Sequence, residues 1–278
     1  METPISYKFY NTTVFAWEAM YQAILGAYES IYLEIYTLID DQTGKRFIDL
    51  LCQKASQGVD VKVIVDAVGS FGLSSLALNS LKLAGVKLLV FNRLRPDLRI
   101  KNWLRRVWQR THCKVLIVDE DQAFIGGVNI EHTAREWDDL HLKLSGKVIR
   151  PLLHHFAKTY VRAGGDKNDV YGLLHPKLTK DWEQFREKIK FIFHSPIYTP
   201  VQSPFRRFYK QALGMAKESF TLLTPYYAPD FKFLEMISRA KRRGIKINII
   251  IPWRSDIKLM EYMAKAFYGI SSRAGAAF

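Results

Sequence analysis

Ile31-Tyr32-Leu33-Glu34-Ile35-Tyr36, an amphipathic stretch over 45–57 that stops at Gly58, and Val61-Lys62-Val63-Ile64-Val65-Asp66 together decide the fold. The two apolar runs are short, rich in β-branched and aromatic residues, and bounded by turn residues, as buried strands are. Between them Phe47, Leu50, Leu51 and Ala55 recur on one helical face, and the glycine supplies the stop. Working outward, helical spacing predicts a helix over 17–28, a further helix over 73–83 ending at Gly85, and a strand over 86–91. Strands alternating with helices predict an α/β fold whose mixed, mostly parallel sheet is covered on both faces.

The same order returns near the C-terminus. A helix over 208–217 precedes Phe220-Thr221-Leu222-Leu223-Thr224-Pro225-Tyr226-Tyr227, Asp230 follows, a helix over 231–243 ends at Gly244, and Ile245-Lys246-Ile247-Asn248-Ile249-Ile250-Ile251 repeats the part of 59–65. The spacing is far longer than a solenoid repeat, so the pattern is a duplication of a whole domain. We expect two homologous halves, 1–195 and 196–278, the second incomplete. The Gly- and Pro-rich region over 162–204 reads as connector holding one polar helix over 179–190.

The chain has 278 residues, 48% of them hydrophobic, enough for a substantial core. Its 41 Lys and Arg against 27 Asp and Glu give a formal charge of +14, which favours an anionic partner: nucleic acid, anionic lipid or a phosphorylated substrate. The two cysteines, Cys52 and Cys113, form no zinc-type spacing and suit a reduced, intracellular setting. His132, His141, His154, His155, His175 and His194 show no metal-ligand pattern and read as incidental. The first ten residues carry no secretory signal pattern, and no apolar run approaches the ~20 residues that span a bilayer, so any membrane contact is expected to be peripheral.

Chemistry concentrates in Thr111-His112-Cys113-Lys114-Val115-Leu116-Ile117-Val118-Asp119, an H-x-K-x4-D pattern followed by Gly126-Gly127-Val128-Asn129. With 7 histidines in the chain, a chance match to Lys at +2 and Asp at +7 is on the order of a few per cent at ordinary residue usage. The stretch has strand character, and alternation puts His112 and Lys114 on one face with Cys113 on the other. An imidazole supplies a nitrogen nucleophile and the ammonium a cation for non-bridging phosphate oxygens. Asp119 completes the pattern, but it opens the turn Asp119-Glu120-Asp121-Gln122 and is assigned to bracing that turn before substrate contact.

A nucleophilic histidine needs an acceptor on its second nitrogen. Asp138 and Asp139 are the candidates, at the start of the strand Asp139-Leu140-His141-Leu142-Lys143-Leu144, which a meander would bring beside the His112 strand. Gly126 and Gly127 would let backbone approach a phosphate, with Asn129 as a neutral donor. Upstream, Arg93, Arg95, Arg99, Lys101, Arg105, Arg106 and Arg110 interleave with Leu98, Ile100, Trp103, Leu104, Val107 and Trp108. This basic amphipathic stretch suits an anionic membrane surface; a nucleic-acid groove or a solvated basic helix has the same composition.

The stretch from Arg110 through Asp119, then Ala123-Phe124-Ile125-Gly126-Gly127-Val128-Asn129-Ile130, then Trp137-Asp138-Asp139 with Gly146, resembles the phospholipase D superfamily, and within it the bacterial cardiolipin synthases. Leu33-Glu34-Ile35-Tyr36, Asp40-Asp41-Gln42-Thr43-Gly44, Val65-Asp66-Ala67-Val68-Gly69-Ser70 and Thr224-Pro225-Tyr226-Tyr227-Ala228-Pro229-Asp230 extend the resemblance over nearly the whole chain. It implies paired α/β/α sandwich halves whose two motifs face one cleft and work through a phosphohistidine without a metal or other cofactor. Carried over, His112 is the nucleophile or its acid/base partner, Lys114 and Asn129 hold the phosphate, Asp139 orients the histidine, Asp119 belongs to the motif, and Gly126, Gly127 and Arg110 line the substrate. The implied substrate is an anionic phospholipid, phosphatidylglycerol, at the cytoplasmic face of the cell membrane. A phosphodiesterase or nuclease, or a non-catalytic binding protein, is the alternative. The second half-site is expected from a further C-terminal region or from another chain. Cys113 stands where the family often has a basic residue.

Overall fold

In the computed structural model, residues 5–92, 111–175, 191, 204–255 and 257–278 are described. The basic stretch over 93–110, Arg110 included, and the helix expected over 179–190 lie outside them. The chain forms two compact units, Met1–Ile197 and Tyr198–Phe278.

The first unit opens with β1 (Ser6–Tyr10), α1 (Thr13–Leu25), β2 (Ser30–Ile35), α2 (Gln42–Ser56), β3 (Asp60–Asp66), α3 (Ser75–Leu83) and β4 (Lys87–Phe91). It continues with β5 (Lys114–Val118), β6 (Gln122–Gly126), β7 (His141–Ser145), α4 (Arg150–Arg162) and the single turn α5 (Tyr171–Leu174). Helix α2 begins ahead of the expected position because the Asp41 carboxylate caps it, accepting from the amides of Thr43 and Gly44. The seven strands form one sheet in the order β1-β7-β6-β5-β2-β3-β4. β2, β3 and β4 run parallel, as helical crossovers demand. β5 enters antiparallel beside β2, and the meander β5-β6-β7 with β1 on its outer edge supplies the antiparallel part.

Alternation along the strands sorts the two faces. Ile31, Leu33, Val63, Leu116 and Phe124 pack toward α1, α2 and α3 in one core cluster. Tyr32, Ile64, Val115, Ile117 and Ala123 pack toward Leu152, Phe156 and Tyr160 of α4 in another. The result is an α/β/α sandwich. Every residue of β2 is buried, Glu34 among them. The strand β1 and the helix α4 have no counterpart in the sequence reading; β1 is exposed along most of its length, and α4 starts at Arg150-Pro151 with proline in its first turn.

The second unit contains α6 (Pro204–Met215), β8 (Ser219–Leu223), α7 (Phe231–Arg242), β9 (Lys246–Ile250), α8 (Lys258–Ala274) and the short β10 (Ala276–Ala277). Its three strands are all parallel, in the order β10-β9-β8. Ile247 and Ile249 pack with Leu234, Ile237 and Ala240 of α7 in a single cluster.

Candidate active site

Most of the candidate side chains gather at one end of the seven-stranded sheet, where the parallel strands β2 and β3 finish and the antiparallel strand β5 begins. Pairing of Ile35 with Lys114, of Asp66 with Phe91 and of Gly126 with His141 marks that end on six neighbouring strands and their loops. In open α/β sheets this is where ligands bind.

His112 sits two residues ahead of β5 and is exposed. Its ring stacks on Tyr36 at the end of β2, centroids 4.0 Å apart and planes at 23°. The Lys114 ammonium lies 3.3 Å from His112 Nδ1, donates to the His112 carbonyl at 3.0 Å and stands over the Tyr36 ring. Burial lowers the Lys114 pKa from its usual value, so the cation is partly desolvated and its field is correspondingly strong. The segment ahead of the histidine is pinned. The Thr111 amide donates to Asp66 Oδ2 at 3.2 Å, the Thr111 hydroxyl donates to Glu34 Oε1 at 2.7 Å, and Asp66 Oδ1 accepts from Val68 and Gly69.

Asn129 faces the same edge, its Oδ1 accepting from the Thr37 amide at 3.3 Å and its carbonyl accepting from the Trp17 indole at 2.7 Å. Asp139 is half-buried, its Oδ1 accepting from the Leu140 amide at 2.7 Å; burial raises its pKa, and the same amide and the Lys114 charge oppose the rise. The meander puts β6 between β5 and β7, so Asp139 does not arrive on a strand adjoining the His112 strand. It reaches the site by lying against Gly127.

Gly126, Gly127 and Asp119 each make contacts within the protein that spacing alone did not specify. A Cβ on Gly127 would come within 2.0 Å of Asp139 Oδ1, and one on Gly126 within 2.3 Å of the Leu140 carbonyl. The Gly127 amide also donates to that carbonyl at 3.1 Å. Both glycines are therefore required by the close approach of the chain entering β7. Asp119 is at the far end of β5 and accepts from the amides of Tyr28, Glu29 and Ser30, bracing the loop that feeds β2. The loop it braces is thus the one ahead of β2, not the 119–122 turn that the sequence suggested.

Sequence reasoning passed over Tyr36, Thr111 and His141. His141 is 1% exposed, and among the described residues neither ring nitrogen has a hydrogen-bond partner; burial, aided by the Lys114 charge, drives its pKa down to about 4. Its signal was a histidine sharing an alternating strand with Leu142, Lys143 and Leu144. On the opposite face of β5 from Lys114, Cys113 Sγ lies 3.5 Å from His155 Nε2 of α4, and that nitrogen is 3.8 Å from Glu34 Oε2. Burial pushes the Glu34 carboxyl up to about 7 and the Cys113 thiol up to about 12.

Residues 20–162 match the family described as cardiolipin synthase, PLD-like domain, PLD denoting phospholipase D. The chain belongs to this phospholipase D family. Similar curated proteins include the cardiolipin synthase of Geobacillus thermodenitrificans, 27% identical over 264 residues that cover 92% of this chain and 51% of the relative. The cardiolipin synthase of Clostridium perfringens is 29% identical over 269 residues, covering 93% of this chain and 55% of the relative. The chain thus spans about half the length of the curated relatives it matches. Among solved structures, the phosphatidylserine synthase of Haemophilus influenzae aligns over 96% of this chain and 68% of its own with a TM-score of 0.64 at 12% identity, a likeness of fold. No helix among the described residues is long and apolar enough to cross a membrane.

Proposed function

We propose that this chain carries one half-site of a cardiolipin-synthase-type phosphatidyltransferase, which moves a phosphatidyl group from one phosphatidylglycerol to the hydroxyl of another and releases glycerol. The observation that carries the reading is an exposed imidazole with a partly desolvated ammonium 3.3 Å away, at the ligand-binding end of a phospholipase D family sheet.

With Nδ1 facing Lys114, the neutral His112 ring holds its proton on Nε2. An arriving phosphodiester competes for the ammonium. Once Lys114 turns to the non-bridging oxygens, Nδ1 can carry the proton and Nε2 is free to attack. The P–N bond forms as the P–O bond to glycerol breaks, and an acid from the second half-site protonates the departing alkoxide. The hydroxyl of a second phosphatidylglycerol then attacks phosphorus, gives its proton to that group and restores the imidazole. Asp139 supports the charged ring, Asn129 and Lys114 hold the phosphate, and Arg110 with the basic stretch ahead of it meets the anionic bilayer surface peripherally. The second half-site comes from a further region of the protein or from another chain.

The test is the purified protein on phosphatidylglycerol vesicles. Cardiolipin and free glycerol should appear together, and His112→Ala should lower the rate by about a thousandfold or more. Cleavage of DNA or of soluble diesters without cardiolipin would transfer the assignment to a phosphodiesterase of the same superfamily. Vesicle binding without turnover, unaltered by His112→Ala, would mark the chain as a binding protein.

A further inference from the structure

We propose that Glu34, Cys113 and His155 form a structural site for a divalent transition-metal ion of zinc type, placed behind the strand that carries His112 and Lys114. The three ligand atoms come from β2, the segment entering β5, and α4, and all lie within 4.8 Å of one another. Tetrahedral zinc, with bonds of about 2.3 Å to sulfur and about 2.0–2.1 Å to nitrogen or oxygen, separates a sulfur from a nitrogen by about 3.5 Å and a nitrogen from an oxygen by about 3.4 Å. Cys113 Sγ and His155 Nε2 are 3.5 Å apart, and His155 Nε2 and Glu34 Oε2 are 3.8 Å apart. Movements of a few tenths of an ångström bring these two contacts to coordination distances, and the third pair lies within 4.8 Å.

The carboxylate gives an independent reason. Glu34 is 0% exposed and its Oε1 is occupied by the Thr111 hydroxyl, while Oε2 is buried and, among the described residues, makes no hydrogen bond of ordinary geometry, with Cys113 and Thr159 as its polar neighbours. A buried carboxylate oxygen left unsatisfied is costly, whereas a cation there satisfies it. The Thr111 hydrogen bond fixes the carboxylate plane so that Oε2 is the oxygen presented, as outer-shell partners of metal ligands do. A carboxylate and a thiolate together neutralise a divalent ion, so the loaded site adds no net charge beside the Arg162 and Lys158 cations that influence His155. Cys113 and His155 are only partly buried, which leaves the ion a way in. Water or an open position completes the fourth corner. Because strand alternation sets Cys113 opposite Lys114, the ion takes no part in phosphodiester chemistry; it clamps β2, β5 and α4 together, whatever diester the site acts on.

Cobalt is the probe, added to the intact protein after treatment with a chelator and a thiol reductant. One equivalent should bind with the near-ultraviolet absorption of a thiolate–cobalt bond, and zinc should displace it. Cys113→Ser should abolish that band, Glu34→Gln and His155→Ala should weaken binding at least tenfold, and Cys52→Ser should change nothing. As a check that needs no variant, zinc should slow alkylation of Cys113 and leave that of Cys52 unaltered. Absence of saturable cobalt binding, a band that survives Cys113→Ser, or equal Cys113 alkylation with and without zinc would each overturn the site and leave a hydrogen-bonded cluster in its place.

Discussion

The run β2-α2-β3-α3-β4 and the run β8-α7-β9-α8-β10 are two versions of one plan with different neighbours. Both are all-parallel ribbons, Ile31 pairing with Val61 as Phe220 pairs with Ile247. Asp41 caps α2 and Asp230 caps α7 at the same distance from the start of the preceding strand; α2 and α7 are both followed by a glycine at positive φ, Gly58 and Gly244. Their surroundings differ. β2 has β5 on its second edge and helices over both faces, and all its residues are buried; β8 and β9 alternate, with Leu223 73% and Ile250 52% exposed. The frame alone therefore builds a half-covered sheet. What gives the first version its candidate site is the β5-β6-β7 meander, which delivers His112, Lys114, Asn129 and Asp139 and has no counterpart among the described residues of the second.

The largest expected effect that separates the two versions is core truncation. Leu116→Ala on β5 is fully buried and should cost about 3 kcal/mol, read by hydrogen exchange in the first unit, whereas Leu223→Ala on β8 should stay within about 0.5 kcal/mol. Equal losses would mean that Leu223 is covered in solution. Next comes the acid response of His141, which the second unit lacks. Its folded pKa of about 4 lies below the ordinary 6.5, so the unfolded chain takes up the proton first; stability falls as pH drops through 6.5 and the loss is complete below about 4. His141→Gln should flatten that part of the stability profile by up to about 3 kcal/mol, and a profile unchanged by the substitution would refute the burial argument. The smallest contrast lies in the caps. Asp41 also accepts from the His132 amide at 2.5 Å, so Asp41→Ala should cost about 2 kcal/mol and Asp230→Ala about 1 kcal/mol, read as faster exchange of each helix's first-turn amides.

Period and punctuation made the parallel ribbons legible, because the helices are amphipathic and stop at Gly58, Gly85 and Gly244, and the strands between them are short apolar runs. The H-x-K pattern was legible because two residues of fixed chemistry at strand spacing must share a face. Pairing partners were not. Nothing local states that β5 inserts beside β2 or that β1 joins the edge of β7, since those choices are made by burial between distant segments. Likewise the glycine pair announced a close approach without saying to what, and Asp139 and Leu140 proved to be the answer. The Glu34, Cys113 and His155 cluster escaped for the same reason. Its members come from three elements remote in sequence, and no spacing rule joins them.

The two carboxylate oxygens of Asp66 hold both the turn that leaves β3 and the peptide just before His112, while the Ala67 amide clasps the Phe91 carbonyl at 3.1 Å. Both stems of the intervening basic insert are thus moored to one spot. A change in the length or composition of that stretch can therefore be tolerated without moving the peptide that precedes His112.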